Sequence, residues 1–561
     1  MDLVDVEREG IEHEAHEHPV IRIVAGTRHL AIDAAVGALT DDLNLYQRNG
    51  ALVHVTRVTE REALEFPALV TGSPKIHLMA APTLGERLTR HAKWKRFDKR
   101  SDEWVPAEPT RDIVLGVLGR ASWPGVRPLI GVIETPSLRP DGSVLERPGY
   151  DRSTGYLYEP SESFPRVPTA PSREDAAAAL QELLDVFVDF PFEAAEGPSV
   201  AVAALLTLLA RPAIRGSTPA FLFDAATPGT GKGLLTDAIA MITTGREAGK
   251  RSMGKDPRNF DEELRKVLTT CALRGARLIV LDNLDPALPL GGSSLEGAIT
   301  SGVFEGRILG RSEDVSITWL AVVIGTGNNA RVTNDMRRRT LAARLVSRYE
   351  DPSRRPRESY RYPDRAGCLP AWARSNRGRL VCAGLTVLRA YSLAGEPHDG
   401  VPLGSFEAWD KLIAGAIVWA GGSDPTRCLL SRGEAEISPE RNALMILLRD
   451  LPRLDSQGTG ITSRSLVDAL WSTERIRGEP CPPDGFDDLR AALEELCPPA
   501  KRGGAPDKRH LGNALAKHRD VVIRVQSGDK LVARSLQHPK DAEGKIVADR
   551  TGVAKWLSRP V

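Results

Sequence analysis

Cysteine is scarce and scattered in this sequence: Cys271, Cys368, Cys382, Cys428, Cys481 and Cys497 form no C-x-x-C pair. That spacing argues against a zinc ribbon and a disulfide framework, and it fits small buried or incidental residues of a reducing compartment. An excess of charge of either sign is also missing, since 75 Lys and Arg residues face 74 Asp and Glu for a net +1. Any contact with nucleic acid must therefore come from local patches. No apolar run approaches the ~20 residues of a membrane span. Residues 1–9 are too acidic for a secretory leader, so no membrane contact and a cytoplasmic location are expected.

At 561 residues the chain is too long for one hydrophobic core, and three or four domains are expected. Residues 1–20 form an acidic tail in which His13 and His16 lack the H-E-x-x-H spacing of a metalloprotease helix. Residues 21–160 read as an α/β domain, with strands at 21–24 and 51–56 around a helix at 31–43. Within it, residues 87–100 alternate cations with Trp94 and Phe97. That pattern suits phosphate contact and base stacking, and a solvated basic helix end is the plain alternative. Asp141-Gly142 between apolar neighbours marks a hairpin. Residues 161–171 are a Ser/Pro-rich linker, Ser172 and Asp175 have the spacing of a capping box, and the uncharged run 199–210 reads as a buried helix.

At residues 221–233 an apolar run breaks into a glycine-rich turn ending in lysine, ahead of an apolar helix. A nucleoside triphosphate needs this arrangement: backbone N–H groups turned inward, a helix N-terminus behind them and one long cation. Thr227, Pro228, Gly229, Thr230, Gly231, Lys232, Gly233 and Leu234 are the candidate ATP-binding residues. A strand-to-helix turn without a ligand is the alternative. Against G-x-x-x-x-G-K-[ST], Ala226 replaces the first glycine and Gly233 replaces the hydroxyl that would hold Mg²⁺. The second change removes a metal ligand, which water or another side chain must replace; Thr236 is too far along the helix to do so.

Residues 277–282 describe a buried parallel strand ending in Asp282, the candidate Mg²⁺ carboxylate. The next position is Asn283, which can bond water but cannot take its proton. Slow hydrolysis is expected unless Asp285 or Glu296 substitutes. A third apolar strand at 320–326 leads to Gly327-Asn328-Asn329, placing the Asn328 amide beside the terminal phosphate. Arg337, Arg338, Arg339 and Arg344 are read as one helical segment, suited to reach a neighbouring subunit's phosphate. For any one of them a charged surface is the alternative.

In this order, P-G-T-G-K, L-I-V-L-D-N, a basic hairpin, G-T-G-N-N and an arginine-rich segment resemble the superfamily 3 helicase branch of the AAA+ ATPases. Within that branch the chain looks like the primase-helicase-type proteins of phages, prophages and other mobile elements. The resemblance covers residues 200–350 well and 404–420 more loosely. It implies a ring-forming ATPase, a hexamer around single-stranded DNA. Lys232 would hold the β- and γ-phosphates, Asp282 Mg²⁺ and Asn328 the water, with Arg338, Arg339 or Arg344 of a neighbour completing the site. It further implies a pore hairpin at 302–313 that brings Arg307 and Arg311 to DNA. Priming by this chain is not expected, because no cysteine precedes Cys271 and Asp185 and Asp189 lie in or beside a helix. A separate primase would be a partner.

Residues 371–394 and 406–420 read as supporting helices. Beyond them, helices at 442–448 and 463–471, a basic amphipathic helix at 506–519 and strands at 521–525 and 530–533 follow the order of a winged helix. Lys508, Arg509, Lys517 and Arg519 would then meet duplex DNA, although such modules also dock proteins. The expected fold is α/β. It comprises a polar tail (1–20), an α/β N-terminal domain (21–160), a linker and helical lead-in (161–198), an AAA+ P-loop NTPase core (199–350), a helical subdomain (351–434) and a winged-helix-like C-terminal domain (435–561). Two rival functions stand beside the helicase: a nucleotide-gated DNA-binding or initiator factor with slow hydrolysis, and a signalling or defence ATPase.

Overall fold

The strand Ala220–Ala225 is buried at every position, because it lies inside a five-stranded sheet covered on both faces. This computed structural model describes residues 18–65, 71–253, 259–307, 314–349, 351–397, 403–429, 439–471, 475–476, 479–480, 485–499, 504–520, 522–527, 530–541, 545–549 and 553–560. His13 and His16 of the N-terminal tail lie outside them. The chain divides into two compact units, Met1–Arg432 and Gly433–Val561.

In the first unit the strands run in the order Lys250–Ser252, Leu278–Leu284, Val322–Asn328, Ala220–Ala225 and Thr340–Leu345, all parallel. Side chains alternate across such a sheet. Phe221, Phe223, Val280 and Ile324 pack into a layer with the helices Gly197–Ala210, Lys232–Thr244 and Arg377–Leu393. Ala220, Leu222, Leu281 and Val323 pack into a second layer with Phe260–Arg274 and Ser293–Ser301. Runs that are apolar on both faces are what a doubly covered parallel sheet requires.

Residues 18–160 form the strands and helices that precede this sheet. Val20–Ile23, Lys93–Asp98 and Glu103–Pro106 make one small sheet; Pro74–Leu78, Ala51–Arg57, Tyr46–Arg48 and Arg127–Pro128 make another. In residues 87–100 Trp94 offers no face for base stacking, whereas Phe97 is exposed. Trp94 is buried in the local core and its indole N–H donates to the Leu88 carbonyl at 2.9 Å. Half of that run is the helix Ala81–His91 and half is the strand Lys93–Asp98, so its cations belong to two elements. The Asp-Gly turn does close a hairpin, Ser137–Leu138 against Val144–Leu145, with Gly142 at φ +78°. Ser172 caps the helix Arg173–Leu184 in a reciprocal box with Asp175.

Contacts from three parts of the chain meet at the carboxyl end of Lys232–Thr244, where backbone carbonyls lack intrahelical partners. Thr135 Oγ1 donates to the Thr243 carbonyl at 3.1 Å, and Arg377 Nε donates to the Ile242 carbonyl at 3.1 Å. Just beyond, Gly245 turns at φ +75°, and a Cβ there would lie 2.9 Å from the Arg377 guanidinium. Arg246 then pairs with the buried Glu134, which also takes Arg57 at 3.1 Å. Further along, Arg48 donates to the Ala272 and Leu273 carbonyls at the end of Phe260–Arg274.

The second unit packs the helices Pro439–Leu454, Ser463–Leu470, Asp487–Leu496 and Lys508–Lys517 on an antiparallel sheet. Its strand order is Ile461–Thr462, Lys555–Pro560, Lys530–Gln537, Val522–Ser527, and its core includes Leu447, Leu470, Leu493, Leu515 and Trp556. The strand Lys555–Pro560 was not anticipated from sequence. Among the described residues no helix is long and apolar enough to cross a membrane.

Candidate functional site

Strand order decides the site. Because Val322–Asn328 lies between Ala220–Ala225 and Leu278–Leu284, the carboxyl ends carrying the glycine-rich loop, Asn328 and Asp282 converge on one edge. Ala225 pairs with Asn328 in register. The loop itself turns on Gly229 at φ +78° and Gly231 at φ +96°, and Gly231 caps the helix Lys232–Thr244. A side chain at either position would be strained, and a Cβ on Gly231 would also meet the Phe190 ring at 3.0 Å.

The Lys232 ammonium is held over the strand ends, donating to Asn328 Oδ1 at 2.7 Å and Thr230 Oγ1 at 3.2 Å. Burial pushes its pKa down, while the charges of Asp224 and Asp282 pull the other way. Asp282 accepts the Thr326 hydroxyl at 2.5 Å, and Thr326 Oγ1 in turn accepts the Asn283 N–H at 3.2 Å. Asn283 itself sits at φ +56°, where the register between the strands slips by one residue between Leu281 and Leu284. Asparagine tolerates that backbone; a glutamate would not do so easily. Neither proposed stand-in for the missing glutamate is idle. Asp285 holds the Ala287 N–H at 2.9 Å, and Glu296 holds the Gly292 N–H at 3.3 Å and the Thr333 hydroxyl at 3.1 Å. Thr236 spends its hydroxyl on the Gly233 carbonyl at 2.9 Å.

The arginines do not share one helix. Asn334–Arg337 is a single short turn, and Arg344 lies on the strand Thr340–Leu345, directly beside Ala220–Ala225. There Arg344 pairs with the wholly buried Asp224 at 3.4 Å and donates to Asn329 Oδ1 at 2.8 Å. It therefore braces its own loop, with its side chain 35% exposed. Arg339 donates to the Asp335 carbonyl at 3.1 Å and approaches Glu296 at 3.9 Å, whereas Arg338 is exposed. Asn329, passed over in the sequence beside Asn328, sits at φ +53° and bonds the loop through the Ala225 and Ala226 carbonyls.

Sequence reasoning also missed a cavity of about 230 Å³ beside Gly229–Gly231, walled by Phe190, Leu234, Tyr360, Arg365 and Leu369. Its outer wall is pinned by Asp189, whose carboxylate accepts the Arg361 N–H at 2.6 Å and the Tyr362 N–H at 3.1 Å. Arg355 stacks on Tyr360 at 3.9 Å, and Arg365 lies within 3.8 Å of the Tyr362 and Trp372 rings. The dense alternation of Arg and Tyr between 355 and 365 was the available signal.

For a divalent cation the chain offers Asp282 on the strand side. On the helix side Gly233 has no side chain, and the Lys250 ammonium lies 3.4 Å from where its Cβ would be. That side does not fit a metal. Among the described residues no group of three or more His, Cys, Asp and Glu could hold one alone.

Toward nucleic acid, Val303–Arg307 and Asp314–Thr318 pair as an antiparallel ribbon anchored by Phe304, Ile317 and Trp319 in the core. Arg307 is the last described residue of its strand, and Arg311 lies outside the described residues. In the second unit Arg509 and Lys517 are exposed on Lys508–Lys517. Lys508 pairs with Asp468 at 2.6 Å and Arg519 with Asp520 at 3.3 Å.

No family model and no curated protein matches the chain. Among solved structures it is similar to the apo A form of the NrS-1 C-terminal region, at 12% identity and TM-score 0.35, over 80% of this chain and 98% of that one. It is similar to the active helicase Cch of SCCmec type IV at 13% identity and TM-score 0.33, over 91% of each chain. A JCV helicase bound to a thiazolopyridine acetamide compound matches at 14% identity and TM-score 0.19, over 48% of this chain and 70% of that one.

Proposed function

We propose that this chain is an ATP-dependent, ring-forming DNA helicase or translocase of the AAA+, superfamily 3 type, acting in the replication of a phage or other mobile element. The observation that carries the reading is the convergence of Lys232, Asp282 and Asn328 with the left-handed glycines at the carboxyl ends of three adjacent parallel strands. Ligands of open α/β sheets gather at such ends. In this reading the loop amides and Lys232 hold the phosphates, and the Phe190–Tyr360 cavity takes the nucleoside. Asn328 exchanges its bond to Lys232 for the attacking water. Asp282, fixed by Thr326, faces the same edge.

Arg338, Arg339 or Arg344 reaches a neighbouring subunit in a hexamer, and Arg338 is the exposed one of the three. The ribbon Val303–Arg307 with Asp314–Thr318 leads toward single-stranded DNA through Arg307 and Arg311. The domain limits given above belong to this proposal, as do a separate primase and a winged-helix role for residues 435–561, with duplex DNA on Lys508, Arg509, Lys517 and Arg519.

A second reading, a nucleotide-gated assembly or initiator factor, is favoured by Asn283. No carboxylate follows Asp282, and the backbone there is turned for asparagine. The deciding measurement is ATP hydrolysis by the purified protein with and without single-stranded DNA, beside Lys232→Ala and Asp282→Ala. The helicase reading expects DNA-stimulated turnover that both substitutions abolish. Tight ATP binding with no turnover on any DNA would overturn it in favour of the assembly factor.

A further inference from the structure

Position 233 is where a phosphate loop ordinarily supplies a hydroxyl to the metal that bridges the β- and γ-phosphates. Here it is glycine, and an ammonium borders the space that a side chain would take. The Lys250 ammonium lies 3.4 Å from where a Cβ on Gly233 would stand, the nearest atom outside the adjoining residues and the helix's own backbone. A hydroxyl side chain would reach its metal at about 2.1 Å, so the ammonium sits in the neighbourhood that reach would fill.

Three features hold it there. Lys250 opens the edge strand Lys250–Ser252 and pairs with Val280, two residues before the level of Asp282. Its ammonium pairs with Asp237 Oδ2 at 2.6 Å, with side chains 34% and 11% exposed respectively. Asp237 stands four residues after Gly233 on the same helix face, and its other oxygen accepts the Ala248 N–H at 3.3 Å. One lysine, Lys232, thus approaches the site from the loop, and a second comes from the sheet edge, on the side where the metal ligand is missing.

We propose that Lys250 binds the β- or γ-phosphate oxygens of the nucleotide in place of the metal-ligating hydroxyl lost at Gly233. Phosphate binding by this chain then depends little on a divalent cation. A fixed positive charge beside Gly233 opposes a second cation at that point and offers three N–H donors to phosphate oxygens. Asp237 competes with phosphate for the ammonium and yields it to the more highly charged phosphate. This inference rests on the nucleotide reading of the loop, and its test separates the two.

The experiment is a fluorescence titration of the full-length protein with N-methylanthraniloyl ADP and ATP, in excess Mg²⁺ and in excess EDTA. The wild type is expected to lose less than about threefold in affinity on removal of Mg²⁺, and Lys250→Ala to lose about tenfold or more in EDTA. Lys250→Arg should keep most of the metal-free affinity. Asp237→Asn breaks the ion pair but leaves the ammonium, so it should bind at least as tightly as the wild type. That result separates a phosphate contact from a structural salt bridge. Equal metal-free affinity of Lys250→Ala and the wild type would overturn the proposal. So would a wild type that binds only with Mg²⁺, or an Asp237→Asn variant that loses as much as Lys250→Ala. Binding unaffected by Lys232→Ala, or absent in the wild type under both conditions, would instead overturn the nucleotide reading and this inference with it.

Discussion

Arg344 and Asp224 show how much of the site is internal bracing. Asp224 is wholly buried on the loop's own strand, where it holds the Ala330 N–H at 2.7 Å and faces the Arg344 guanidinium. Asp224 is buried but Arg344 is 35% exposed, so solvent screens the pair and losing Arg344 costs less than the about 3–5 kcal/mol of a fully buried pair. Arg344→Ala should therefore lower the denaturation midpoint of the isolated protein. Arg338→Ala, on an exposed side chain, should change stability by no more than about 0.5 kcal/mol. Activity lost in Arg338→Ala alone and partly regained when it is mixed with Lys232→Ala subunits would mark it as the residue acting across subunits. Lys232 gives a pH prediction. Only its protonated form holds phosphate, and burial has moved its pKa down from the ordinary 10.5. Affinity for ADP should therefore fall with rising pH before an ordinary lysine would deprotonate, with proton uptake on binding. Lys232→Arg, always charged, should flatten that profile in a titration of affinity against pH. At these positions the sequence was readable because phosphate chemistry demands particular residues at fixed spacing. Asn329 was not, since an amide bracing the loop and one facing the ligand look alike in one dimension.

The strands were legible wherever apolar residues ran between glycines. Residues 221–225, 278–281 and 322–324 declare a sheet buried on both faces, and two successive helical layers follow from their alternation. Thr340–Leu345 escaped notice because Arg344 and the preceding arginines overlaid its period-two pattern with charge. The residue slip at Asn283 was equally hidden, since a bulge depends on what the neighbouring strand does. It carries a test. Asn283→Gly should leave stability nearly unchanged, whereas Asn283→Val should cost about 1–2 kcal/mol by forcing a β-branched residue into a left-handed backbone. Thermal melting of the two variants side by side would distinguish them. Ser172 is the matching case for a helix end. Its hydroxyl and the Asp175 carboxylate satisfy each other's backbone N–H groups, so Ser172→Ala should cost about 1 kcal/mol in the same assay.

At the level of the chain, the unit Gly433–Val561 has its own core and sheet. Residues 433–561 alone are expected to melt cooperatively when followed by circular dichroism. If that unit binds duplex DNA, Arg509→Ala and Lys517→Ala should each weaken binding uniformly across sequences and lower the salt slope by about one. The cavity beside the phosphate loop was beyond one-dimensional reading for a geometric reason. Its walls, Val186–Pro191 on one side and Ser347–Leu369 on the other, are far apart in the chain and meet only once the sheet has formed.

Contacts join residues on the two sides of position 160. Arg48 and Thr135 cap the ends of core helices, Glu134 seats Arg246, and Leu138 and Val144 belong to the main hydrophobic cluster. Connectivity there is less important than fit. Expressed as two polypeptides broken between Glu159 and Ser172, the fragments would reassemble as a non-covalent pair and co-purify. A protease nick in that stretch would leave no trace on a sizing column.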